Sequence, residues 1–123
     1  MLDREISEFG RRMGMPGFSL PESGVAALDV DKLGRLYLER SHESQEVLVY
    51  LTLAVPHHDT TVVRRALELC SYAHAHPWSL HSGLHANQLM LLTRLDERQA
   101  TAASLENAIF FLSEMLKLVL QRQ

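Results

Sequence analysis

Residues 24–54 constrain the fold most. Three stretches there, Gly24–Val30, Gly34–Arg40 and Gln45–Ala54, are short, rich in Val, Leu and Tyr, and read as strands. The links between them, "DKLG" and "SHES", are too short for anything but tight turns, so the three read as an antiparallel meander. In the second stretch Leu36 and Leu38 face one way, and Arg35, Tyr37 and Glu39 the other. In the third, Val47, Val49, Leu51 and Leu53 share a face. Leu48 and Tyr50 make the opposite face apolar as well.

Helices flank this meander. Over residues 2–14, at about 100° per residue, Leu2, Ile6, Phe9 and Met13 fall within an arc of roughly 60°, a stripe that packs on one side. "MGMPGFSLPESG" then ends the helix with two prolines and three glycines. After the meander, "VPHHDTT" offers Asp59 or Thr60 as an N-cap, and a second helix is expected to run to about His74, ended by Pro77. Its apolar residues, Val62, Val63, Ala66, Leu67, Leu69, Cys70 and Ala73, cover roughly 160°, more than the ~100° that one core contact uses. Small residues, Ala66, Cys70 and Ala73, occupy the middle of that arc. Residues 78–85 and 88–95 read as a hairpin around "HANQ", and "DERQAT" as a loop. Thr101 or a neighbour caps a last helix to about Gln121, whose apolar arc of roughly 200° leaves Phe110 outside it. The order is α-β-β-β-α-β-β-α: a single α+β domain over residues 1–123, with an antiparallel twisted sheet and three helices.

Chemistry is hard to find in this pattern. Four of the seven histidines, His74, His76, His81 and His85, lie between residues 71 and 95. Zinc ligands must converge to about 2.0–2.1 Å from one ion. His81 and His85 share a strand face but stand roughly 13 Å apart, and His74 and His76 point different ways from a helix end. They read as the outer face of a strand, with Leu80, Ser82, Leu84 and Ala86 inward, and as a helix C-terminus. A histidine metal site is the competing reading, and metal analysis of the purified protein separates the two. No nucleophile motif or phosphate-cradling loop is present. Cys70, the single cysteine, falls within an apolar arc and reads as a buried thiol. Net charge is −3, and the basic pairs Arg11–Arg12 and Arg64–Arg65 are too small for a nucleic-acid footprint. The N-terminus lacks the apolar core of a signal peptide, and no apolar run reaches the ~18 residues of a membrane span. Neither catalytic residues, metal ligands nor a cofactor site are expected.

What remains is apolar surface in excess of what one sheet and three helices cover, and such surface marks partners. From face assignment alone, Val62, Ala66, Leu69, Cys70 and Ala73 are expected at a dimer interface. Tyr37, Leu48, Tyr50, Met90, Leu92 and Phe110 are expected to contact a client or partner.

The element order and the segments "EFGRRMGMPGFSLPESGVAALDV", "GRLYLER" and "LMLLTRLDERQATAASLENAIFFL" resemble the class I type III secretion chaperones of the Tir-chaperone (CesT-like) family, and within it the SycN type. The resemblance implies a dimerising, non-enzymatic protein of the bacterial cytoplasm that uses no nucleotide. It implies a heterodimer with a second small chaperone of the YscB type. The client would be an N-terminal segment of a YopN-like gatekeeper, held extended and soluble and presented to the export apparatus at the inner-membrane face. A homodimeric chaperone for a secreted effector is the alternative within the family.

Overall fold

A computed structural model describes residues 2–30, 34–41, 43–54, 60–71, 80–85 and 87–120. The elements are α1 (Leu2–Arg12), β1 (Val25–Val30), β2 (Gly34–Ser41), β3 (Glu46–Ala54), α2 (Thr60–Ser71), β4 (His81–His85), β5 (Gln88–Asp96) and α3 (Ala102–Leu120). The expected α+β order and the meander are both present. Ala73, His74, His76 and Ala86 lie outside the described residues, as do the side chains of Leu69, Cys70 and His85.

The five strands form one antiparallel sheet in the order β1-β2-β3-β5-β4. β3 is therefore central, and the hairpin β4–β5 docks against it after the excursion through α2. Two turns fix the register of the meander. Gly34 opens β2 at φ +104°, and a Cβ there would collide with the carbonyl oxygen of Thr52 on β3, so only glycine fits. Gln45, expected as the first residue of β3, instead takes φ +54° in the turn before it. Its carbonyl accepts from Glu97 N–H at 2.9 Å.

Residues opposite one another in a ladder point to the same side. Leu36, Leu51 and Leu91 therefore share one face with Leu38, Val49, Val47 and Leu95. That face carries the core, packed with Leu2, Ile6 and Phe9 of α1, Val62 and Ala66 of α2, and Leu105, Leu112, Leu116 and Val119 of α3. All three helices thus close one side of the sheet. Thr93 sits fully buried on this side, opposite Val49, and its hydroxyl has no hydrogen-bond partner among the described residues. An unsatisfied buried hydroxyl costs stability. Thr93→Val is expected to stabilise the chain by about 1 kcal/mol, read as a midpoint a few degrees higher in a thermal melt. An unchanged or lower midpoint would show that the hydroxyl is satisfied.

The helix ends are tied by side chains. Thr101 and Ser104 form a reciprocal capping box: Ser104 N–H donates to Thr101 Oγ1 at 3.0 Å, and Thr101 N–H donates to Ser104 Oγ at 2.7 Å. Ala102 N–H donates to Glu5 Oε1 of α1 at 2.8 Å, and Arg12 reaches Glu106 at 3.2 Å. At the other end of α3, Arg65 of α2 donates to the Val119 carbonyl at 3.4 Å.

Several sequence expectations need correction. α1 ends at Arg12, and Met13 lies beyond it, exposed, because the chain folds back at once: Met15 N–H bonds to Gly10 O at 2.7 Å. "DERQAT" is not irregular throughout, since Glu97–Gln99 form a 3-10 turn capped by Asp96, which accepts from Arg98 N–H. Leu84 does point to the core side of the sheet, opposite Leu89, yet is 53% exposed. β4 is an edge strand, with a neighbouring strand on one side alone.

Candidate interaction surfaces

The side of the sheet away from the helices is built by the same register. One row crosses it as Ala27, Tyr37, Tyr50, Leu92 and His81 on β1, β2, β3, β5 and β4. The row on one side is Glu39, Leu48 and Arg94; the row on the other is Arg35, Thr52, Met90 and Gly83. Five of the six residues expected at a client or partner surface, Tyr37, Leu48, Tyr50, Met90 and Leu92, therefore come together on one patch. None of them belongs to the core cluster. Tyr37, Leu48, Tyr50 and Met90 are half-buried, while Leu92, in the middle, is only 8% exposed. Leu92 is thus the floor of the patch more than a contact surface.

The aromatic centre is held in place. Tyr37 and Tyr50 stack with ring centroids 4.9 Å apart and planes 11° from parallel. The Arg35 guanidinium lies 5.8 Å from the Tyr37 ring centroid. Tyr50 O–H donates to Glu39 Oε1 at 3.0 Å. Partial burial, then that carboxylate, pushes the Tyr50 hydroxyl up to about 12, so the phenol stays neutral. What results is an apolar, aromatic surface with charges at its margins: Arg94 and Glu39 on one flank, Arg35 and Asp29 on the other. It offers shape and apolar contact.

Phe110 stands apart from this patch. It lies on α3 and is 66% exposed, between Glu106, which pairs with Arg12, and Glu114, which pairs with Lys117. Its ring takes no part in the core, so Phe110→Ser is expected to leave the thermal midpoint of the isolated chain almost unchanged. A sharp fall would place Phe110 in the core.

Of the five residues expected at a dimer face, two, Val62 and Ala66, can be placed among the described side chains, and these two need a correction. Val62 and Ala66 do not lie on an open side of α2; they are buried in the chain's own core. α2 packs against α3 and β4, and these two residues are the inward part of its apolar arc. The part left toward solvent carries Val63, half-buried, and Leu67, 57% exposed. Leu67 and Leu84, on two elements that touch, are residues the sequence reading did not assign to a surface. For Leu67 the signal was its place at the margin of the arc.

His81 is exposed at the β4 edge. Among the described residues, no three His, Cys, Asp or Glu side chains gather where they could hold a metal ion. No helix among them is long and apolar enough to cross a membrane.

Residues 1–120 match the family model for the type III secretory system chaperone SycN. Solved structures of similar fold include the ExsC–ExsE complex, at 21% identity and a TM-score of 0.78, covering 94% of this chain and 88% of that one. A second is the Yersinia pestis type III secretion chaperone SycH in complex with a fragment of YscM2, at 15% identity and TM-score 0.72, covering 96% and 99%. A third is the ExoU–SpcU complex of the Pseudomonas aeruginosa type III secretion system, at 22% identity and TM-score 0.64, covering 97% and 95%. At these identities the likeness is one of fold. No curated protein sequence matches the chain.

Proposed function

Because the chain belongs to the SycN family of type III secretory system chaperones, we propose that it works as one subunit of a chaperone pair. It binds an N-terminal segment of a YopN-like gatekeeper in extended form on the open side of its sheet. The observation that carries this reading is the patch of Tyr37, Tyr50, Leu48 and Met90 on the face away from all three helices. An apolar surface of this kind suits side chains of an unfolded partner segment, which would otherwise aggregate.

Pairing is assigned to α2 and the neighbouring β4 edge, where Leu67 and Leu84 are exposed. The second subunit is a YscB-like chaperone, and the complex acts in the bacterial cytoplasm, delivering its client to the export apparatus. Co-expression with a YscB-type chaperone and a YopN-type gatekeeper is expected to yield a complex with one copy of each by light scattering. Leu67→Asp is expected to remove the second chaperone while leaving the melting midpoint of this chain within a few degrees. If the chain instead purifies as a self-paired dimer and takes up a secreted effector, the homodimeric reading holds. A chaperone–effector complex of similar fold, HopA1–SchA, supports the effector half of that reading.

A further inference from the structure

We draw no further inference here: the strongest candidate, the half-open cavity of about 530 Å³ between the first turn of α1, Arg40 at the end of β2 and the 3-10 turn at Glu97–Gln99, carries nothing, because Arg40 and Glu97 are already paired with each other, Glu5 is held by the Ala102 N–H, and nothing in the structure shows what would occupy it.

Discussion

Ala66→Glu is expected to unfold this chain rather than to separate it from a partner. Ala66 is fully buried among residues of the chain's own core, on the side of α2 that meets α3 and β4. A glutamate there must either bury an unpaired charge or push the helix outward. An uncompensated buried charge commonly costs about 3–5 kcal/mol, and a domain of this size has only about 5–15 kcal/mol to lose. The variant should be largely insoluble, or should melt far below the parent by circular dichroism. Leu67→Asp, one residue on and 57% exposed, is the matched control and should melt near the parent. A folded Ala66→Glu protein with a near-parental midpoint would mean that α2 is rotated about its axis, with Ala66 outward after all.

That pair of variants also marks where sequence stopped being informative. The periodicity of α2 shows an apolar arc wider than one contact uses, but periodicity cannot say which part of the arc the chain's own core takes. The small residues Ala66 and Cys70 suggested close packing against another subunit. The structure uses Ala66 for close packing within the chain. Leu84 has the complementary difficulty: alternation gave its side correctly, but its exposure depends on β4 being at the edge. Edge position is a matter of sheet order, β5 beside β3 with β4 outside, and this non-local pairing leaves no local signature. Met13 fits the stripe of α1 on paper, while the backbone has already turned away, with Gly14 at φ +79°.

The open face of the sheet was more legible, for a physical reason. Strand alternation has a period of two, so Tyr37, Leu48 and Tyr50 stand out as apolar side chains out of phase with Leu36, Leu38, Val47 and Val49. Their number showed that a second side of the sheet is apolar. That they converge required the register, Tyr37 opposite Tyr50 and Tyr50 opposite Leu92, which the turns at Gly34 and Gln45 set. A strand that is apolar on both sides makes Leu92 look like a contact residue. Its near-complete burial among its neighbours is a tertiary effect.

Tyr37→Ser combined with Leu48→Asp is expected to abolish client binding while leaving chaperone pairing intact. Both side chains are half-buried on the open face, and neither belongs to the core cluster, so the fold should survive at a modest cost. Tyr37 supplies one ring of the stacked pair and the surface over which the Arg35 guanidinium sits. Its loss leaves Tyr50 without its stacking partner, held by Glu39 alone. Aspartate at position 48 stands between Glu39 and Arg94 in its row. Arg94 is already paired with Glu46 at 3.7 Å, and Glu39 lies directly opposite position 48, so the new carboxylate costs some stability on a half-buried margin, and an apolar client side chain would then meet a hydrated carboxylate. An aromatic anchor at the centre of an interface is worth about 2 kcal/mol or more, and about 2 kcal/mol is already some 30-fold in affinity. The two changes together should therefore take the client below detection in co-purification and cut its secretion, while the second chaperone still co-purifies through α2 and β4. The melting midpoint separates this result from general damage and should stay within several degrees of the parent. Full retention of the client by a folded double variant would remove the open face from its binding site and leave Phe110, on α3, as the next surface to test.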